Sequence, residues 1–421
     1  MRNSREIVID ALNHKSGTSI PVDFGSTAVT GIHCKIIKEL REYYGLVAKP
    51  VKIVDSFQML GEVDDELADI IGIDCIGLSS SKDIFNMDTT DMHEQITPWG
   101  QKVIVPSGLS LVPETEGKIY VFAEGDRNYP PSAIMPDGGY FFDAIERQKI
   151  LDESKLDPKD NLEEFNDITE QELKLYETKA ANASNTGRAV VASFGGTALG
   201  DVAFIPGMGL KEPKGIRSVV EWYMSTVVRQ DYIHKIFASQ VELAIKNYEK
   251  IWKRVGDKID VVFICGTDFG TQDSQFCSVE TFNELWLPYY RRLNDWIHSN
   301  TTWKTFKHSC GAIVPLLPSI IEAGFDIINP VQINAKDMDP RFLKKEFGKN
   351  LTFWGGGIDT QRILPYAKPD EIRRHIISQC EILGENGGFV FNAVHNIQAN
   401  VPIENVVAMF ETLKEVNRKN I

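Results

Sequence analysis

A histidine and a cysteine lie two positions apart in the stretch TFKHSCGAIVP, which runs from Thr305 to Pro315. The residues before His308 form an apolar run typical of a strand, and Pro315 marks the region of a helix start. Since strand side chains alternate in direction, His308 and Cys310 would project to the same side. Imidazole and thiolate are preferred zinc ligands. Taken alone, the pair also fits a small apolar cysteine beside a core histidine.

Three further polar residues follow short apolar runs elsewhere in the chain. Asp268 comes shortly after IDVVFICG, Asp359 after NLTFWGGG, and His395 directly after FVFNAV. If these runs are parallel strands, their carboxyl ends share one rim, which is where (β/α)₈ barrels carry out their chemistry. His395 would then add a third ligand to His308 and Cys310. Three protein ligands and an open position are typical of a catalytic zinc site.

Other polar groups near these positions have two interpretations. Asp268 is either a turn residue between glycines or an acceptor for a substrate. The glycine run at 355–357 could cradle phosphate, but it lacks the Gly-x-Gly-x-x-Gly spacing and a P-loop lysine, so close backbone packing is favoured. His33 and Cys34 are sequence neighbours whose side chains would point apart, so we interpret them as structural.

Helices alternate with the short strands throughout the C-terminal half. Apolar residues between Ile233 and Ile251 recur at spacings of three or four, which predicts a long amphipathic helix before the strand IDVVFICG. Further helices are predicted after Pro315, within DPRFLKKEFG and within KPDEIRRHIISQCEILGENGG, and each is followed by a predicted strand. This alternation predicts a parallel sheet covered by helices, open or closed into a barrel.

The middle of the chain has a different pattern. SLVPETEGKIYVFAEGD and IMPDGGYFFD predict hairpins, and DPKDNLEEFNDITEQELKLYETK predicts an acidic helical segment. We assign residues 1–85 and 186–421 to the barrel and about 86–185 to an insertion, which is either a solvated decoration or a lid or docking surface. The prediction is an α/β protein with one domain over 1–421: a (β/α)₈ TIM barrel with an inserted α+β excursion.

Composition excludes several classes of partner. Lys and Arg number 45 against 59 Asp and Glu, a net charge of −14, which argues against binding to nucleic acid. The six cysteines have no disulfide-framework spacing, and the charged, amphipathic start does not resemble a signal sequence. No run approaches the roughly 18 apolar residues that cross a bilayer. We therefore expect a cytoplasmic protein without a membrane partner.

Taken together, the motifs resemble the uroporphyrinogen decarboxylase superfamily. SREIVIDALNHKSGTSIPVDFG is similar to its N-terminal helix and first strand, and GTDFGTQDSQFCSVETFNELWLPYYRRL to its aspartate-bearing strand end and the helix that follows. HSCG, WGGGIDTQRILPYAKPDEIRR and VHNIQANVPIENV resemble three further blocks in the same order. The resemblance spans nearly the whole chain outside the insertion and implies a (β/α)₈ barrel.

Two branches of this superfamily differ after the first strand. The decarboxylases carry an arginine-rich segment that holds the carboxylates of their tetrapyrrole, whereas this chain has PVDFGSTAVTG. His308, Cys310 and Gly311 instead resemble the His-x-Cys-Gly motif of the zinc methyltransferases that work with corrinoid proteins. In that branch the third ligand is a later cysteine, whose place is taken here by His395. Decarboxylases also have a histidine at this point.

The resemblance implies a zinc-dependent methyltransferase that moves a methyl group between a small methylated compound and a corrinoid (cobalamin) protein. His308, Cys310 and His395 would bind the Zn²⁺. Asp268 and His395 would be the catalytic residues, with Asp268 orienting the substrate or accepting its proton.

The same resemblance implies that Gln272 and Asp359 line the substrate pocket. Two alternatives stay open. One is a decarboxylase-like lyase that acts on a carboxylated substrate without metal, through Asp268 and His395. The other is a non-catalytic barrel that binds a ligand.

Overall fold

The computed structural model describes residues 3–16, 19–195 and 197–419. The helices in these ranges are α1 Ser4–Leu12, α2 Cys34–Tyr43, α3 Asp65–Ile71, α4 Glu170–Ser184, α5 Val219–Val228, α6 Gln230–Val255, α7 Val279–Leu285, α8 Leu287–Asn300, α9 Leu317–Glu322, α10 Pro340–Phe347, α11 Pro369–Leu383 and α12 Ile403–Lys419. No helix in the described ranges is both long enough and apolar enough to cross a membrane.

The strands of the same ranges are β1 Ile32–His33, β2 Val51–Asp55, β3 Leu60–Gly61, β4 Cys75–Ser79, β5 Met92–Ile96, β6 Lys102–Pro106, β7 Ile119–Val121, β8 Ala133–Met135, β9 Asp143–Ala144, β10 Ala189–Ser193, β11 Val261–Cys265, β12 Lys304–His308, β13 Ile327–Asn329, β14 Thr352–Trp354 and β15 Phe389–Val390.

A curled parallel sheet of seven strands forms the centre of the described chain, in the order β15-β14-β13-β12-β11-β10-β4. Each adjacent pair is parallel. The predicted alternation is confirmed in the C-terminal half, where α6, α8, α9, α10 and α11 separate β10 to β15. The chain is thus a mixed α/β protein whose carboxyl strand ends lie along one edge of the sheet.

A short extended segment near the N-terminus contacts both outer strands of this sheet. On one side the Asp23 N–H donates to Phe391 O at 3.0 Å, and the Phe391 N–H donates to Pro21 O at 2.8 Å. On the other side the Asp74 N–H, just before β4, donates to Val22 O at 2.8 Å. The segment therefore lies between β15 and β4.

The interior of the curled sheet is apolar at its amino end. Inward-facing side chains from all seven strands form one buried cluster with Val8, Ala11 and Leu12 of α1: Cys75, Ala189, Val191, Val261, Phe306, Ile327, Trp354 and Val390. Because strand side chains alternate, the residues two positions after Phe306 and Ile327 face the same interior one layer higher. Those residues are His308 and Asn329, so the fold places polar groups at the carboxyl end, above an apolar floor.

The predicted insertion contains β5 to β9 and α4. The five strands belong to two small sheets. One has the strand order β1-β3-β2-β6-β5 and the other β7-β8-β9. α4 packs against β4, β10 and α6, in the position of a helix that connects neighbouring parallel strands. Arg147, within the same insertion, donates to the carbonyl oxygens of Gly207 and Leu210. These bonds hold the insertion against the loop after β10.

Candidate metal and active site

His308 is oriented by a hydrogen bond behind its ring. Asn329 Nδ2 donates to Trp354 O at 2.7 Å, which turns Asn329 Oδ1 towards His308 Nδ1 at 2.6 Å. Because an amide oxygen only accepts, Nδ1 carries the proton and donates. His308 Nε2 therefore keeps its lone pair, and it lies 3.4 Å from Cys310 Sγ. Metal-binding histidines are oriented by this kind of second contact.

Cys310 and Asp268 are held together through the backbone. The Cys310 N–H donates to Asp268 Oδ1 at 2.7 Å, and the same oxygen lies 3.6 Å from His308 Nε2. Burial raises the pKa of the Cys310 thiol well above its ordinary value, and the negative charge of Asp268 raises it further. A bound cation reverses this preference, because a coordinating thiol loses its proton. The thiol thus becomes a strong ligand when a metal is present.

His395 brings a third nitrogen to the pair. The ligand atoms of His308, Cys310 and His395 all lie within 4.8 Å of one another, and the two imidazole rings have centroids 5.7 Å apart. Burial, and after it the neighbouring His308, lowers the pKa of His395 to about 4. Burial lowers the pKa of His308 as well. Both rings are thus neutral at pH 7, the form that binds metals, and the donor set fits Zn²⁺.

We expect about one zinc per chain in protein purified after expression with zinc, because three borderline or soft ligands converge here. Cys310→Ser is expected to lose most of this metal, since a serine hydroxyl does not replace a thiolate. Elemental analysis after dialysis measures the content. Cys277→Ser, at a half-buried cysteine outside the three-ligand group, is the control and should keep its zinc. Wild-type protein that is metal-free and binds no zinc on titration would contradict the assignment.

Gln272, predicted to line the pocket, lies in a hydrogen-bonded chain that supports the turn after Cys310. Its Oε1 accepts from Gln332 Nε2 at 2.9 Å, and its Nε2 donates to Asn334 O at 2.6 Å. Gln332 Oε1 in turn accepts from the Gly311 N–H at 2.6 Å. The structure thus joins Gln272, through Gln332, to the loop that carries Cys310 and Gly311.

Asp359, the other residue predicted to line the pocket, is buried after β14. Its Oδ1 accepts from the N–H groups of Gln361 and Arg362 at 2.7 and 3.0 Å, and from Asn334 Nδ2 at 3.2 Å. These bonds shape the loop after β14 and join it to the loop after β13.

Asn329, Gln332 and Lys307 contribute to the site but were not among the predicted residues. Asn329 ends β13 in FDIINPVQ, so the rule that selected His308 and His395 also applies to it. Lys307 is fully buried beside His308. No spacing signal distinguishes it from an exposed strand lysine.

Two groups interpreted as structural have structural roles. His33 Nδ1 accepts from the Lys35 N–H at 3.1 Å, and its Nε2 lies 2.9 Å from Tyr140 O. Both ring nitrogens are therefore engaged. In the glycine run, a Cβ on Gly357 would lie 2.3 Å from the Phe391 ring, so close packing accounts for that residue.

Comparison with known proteins agrees with the motifs. Residues 258–416 match the family model described as Uroporphyrinogen decarboxylase (URO-D), which confirms the resemblance for the C-terminal part of the chain. The fold is similar to that of a methyltransferase from Methanosarcina mazei, with a TM-score of 0.53, 13% identity and 99% of each chain covered. No curated protein matches the sequence.

Two other solved structures align less well. A D-psicose 3-epimerase in the presence of D-fructose has a TM-score of 0.30 and 10% identity, over 59% of this chain and 82% of its own. The Ignisphaera aggregans GH53 catalytic domain has a TM-score of 0.33 and 11% identity, over 93% and 99%. Scores this low support no argument about fold or function.

Proposed function

We propose that this chain, with a URO-D pattern in its C-terminal part and a fold similar to a methyltransferase, is a zinc-dependent methyltransferase. It would move a methyl group between a small methylated compound and a corrinoid protein in the cytoplasm. The observation that carries the proposal is the convergence of His308, Cys310 and His395 at the carboxyl ends of parallel strands, where barrel enzymes place their chemistry.

The proposal includes a closed (β/α)₈ barrel in a single domain over 1–421, with the insertion at about 86–185. It is supported by the segment Pro21–Asp23, whose backbone bonds to Phe391 and Asp74 would supply the eighth member of the ring. Closure would leave one open rim above the apolar floor, and His308, Cys310 and His395 would all face it.

Zinc bound by one thiolate and two neutral imidazoles would keep a charge of roughly +1 and could polarise a heteroatom that carries a methyl group. The residues around it have defined tasks. Asn329 keeps His308 Nε2 unprotonated. Asp268, with 27% of its side chain exposed, would orient the substrate or accept its proton. Gln272 and Asp359 would shape the pocket by holding the loops after β11 and β14.

The methyl acceptor is expected to come from a partner protein. Four of the six cysteines, Cys34, Cys75, Cys265 and Cys380, are buried; Cys310 would bind the metal, and the half-buried Cys277 lies outside the three-ligand group. A reduced corrinoid is a strong methyl acceptor, but it is large and must approach the open rim. We assign contact with that partner, or closure over the substrate, to the insertion at about 86–185.

The test is to mix the protein with a co-encoded corrinoid protein in its Co(I) state and a methoxylated or otherwise methylated small molecule. We expect methyl-Co(III) absorbance to appear, with zinc-depleted protein as the inactive control. The same protein should not convert uroporphyrinogen to coproporphyrinogen anaerobically, because PVDFGSTAVTG provides no arginines for the substrate carboxylates. Decarboxylation without metal would favour the lyase, and ligand binding without turnover would favour the binding protein.

A further inference from the structure

Lys307 is a fully buried lysine in the strand that carries His308. Its side chain is 0% exposed, and its Nζ donates to Thr267 O at 2.6 Å and to His308 O. The ammonium also lies over the Phe269 and Tyr290 rings, 5.0 and 5.7 Å from their centroids. Since Phe306 and His308 face the interior, Lys307 points to the opposite face, between the sheet and its helices.

An ammonium is costly to bury unless its donors and charge are compensated. Here two carbonyl oxygens accept from it, two aromatic rings face it, and its charge acts on the buried Asp201. A methionine of similar length would fill the same space without needing these partners. The presence of a lysine rather than a methionine at position 307 is thus best explained by the two carbonyl oxygens to which its ammonium donates.

Those two carbonyls flank the candidate metal site. The first carbonyl belongs to Thr267, the residue before Asp268, just after β11. The second belongs to His308, the last residue of β12, two positions before Cys310. The Cys310 N–H donates to Asp268 Oδ1, which closes a ring of contacts. One ammonium therefore fixes both backbone segments that carry the site.

We infer that Lys307 is a positioning residue of the metal centre. Its ammonium ties the end of β11 to the end of β12 and so holds Asp268, His308 and Cys310 in the arrangement that binds zinc. The inference rests on the zinc site of the proposed function, and it does not depend on which methyl donor or acceptor is used.

The test compares Lys307→Met with a matched variant, Lys344→Met. Lys344 is half-buried, and like Lys307 it donates to a carbonyl, Gly387 O, and lies over an aromatic ring, 5.9 Å from the Phe353 centroid. Its carbonyl partner lies just before β15, at the amino end of the sheet. Lys307→Met is expected to lower zinc affinity about 10–100-fold in a chelator competition. The visible bands of the cobalt(II)-loaded variant should shift because the ligand geometry changes. Lys344→Met should lose stability without either effect.

The outcomes separate this inference from the proposed function. Wild-type protein that binds neither zinc nor cobalt would overturn both. Normal zinc affinity and cobalt bands in Lys307→Met would overturn the positioning role alone, as would equal losses in both variants. If Lys307→Met does not fold, Lys307→Gln keeps N–H donors without the charge. It should lose less zinc affinity than is expected for Lys307→Met, and a folded Gln variant with wild-type zinc affinity and cobalt bands would show that the buried ammonium is not needed to position the ligands.

Discussion

Methyl transfer is expected to fall at least about a thousandfold in His308→Ala and in His395→Ala, because a catalytic metal contributes several kcal/mol to the transition state and each 1.4 kcal/mol is tenfold in rate. Each change removes one of the three proposed ligands, and the two that remain would not hold zinc firmly. The rate of methyl-Co(III) formation and the zinc content of each variant measure the effect. Circular dichroism checks that the fold is intact.

His298→Ala is the matched control. The Nε2 of His298 lies 2.7 Å from Asp326 Oδ2, and Lys304, the first residue of β12, donates to the other oxygen of Asp326. His298 is therefore at the amino end of β12, whereas His308 is at its carboxyl end. This variant should keep its zinc and its rate. If His395→Ala retains zinc and full activity, the third-ligand assignment is wrong and the site reduces to His308 and Cys310.

The three candidate ligands could be predicted because two simple rules apply to them. His308, Cys310 and His395 each follow an apolar run, and the carboxyl ends of parallel strands meet at one edge. In the C-terminal half the strands are short and each is preceded by a helix, so the order of elements follows largely from local pattern. The structure brings the three side chains together as those rules require.

Lys307 shows where the pattern stops being informative. Alternation correctly places it on the opposite face from His308, but that face of a parallel sheet is covered by helices, and so it is buried as well. Which carbonyls the ammonium would reach depends on the loop after β11, 40 residues earlier in the chain. Such a partner is set by tertiary packing and has no local signal.

The first half of the chain depends even more on distant pairing. β2 pairs in parallel with β6, whose residues lie about 50 positions later, and β3 pairs with both β1 and β2. The pairing register between such short strands cannot be inferred from the sequence of either strand alone. In α4 the acidic residues suggest a solvated helix, but Leu173, Tyr176 and Ala180 form a buried stripe that packs against the sheet.

Gly311→Ala is expected to lower the free energy of unfolding by about 3 kcal/mol or more, since both backbone strain and overpacking contribute. The φ angle of Gly311 is +92°, and a Cβ there would lie 2.2 Å from the carbonyl carbon of Gly270. The loops after β11 and β12 would have to separate, and Cys310 would move with them. Denaturant unfolding followed by tryptophan fluorescence measures the stability, and titration measures the zinc affinity.

Gly45→Ala separates the two causes. Gly45 also has a positive φ, +68°, but no atom lies within 4 Å of its Cβ position, so we expect a loss of only about 1–2 kcal/mol and unchanged zinc binding. Equal losses of stability in the two variants would show that the approach of Gly270 to Gly311 is not tight. Normal zinc affinity in a destabilised Gly311→Ala protein would show that Cys310 keeps its place when this contact opens. Loss of both, with Gly45→Ala intact at the metal, would show that the glycine after the cysteine is required because two loops of the metal site meet there.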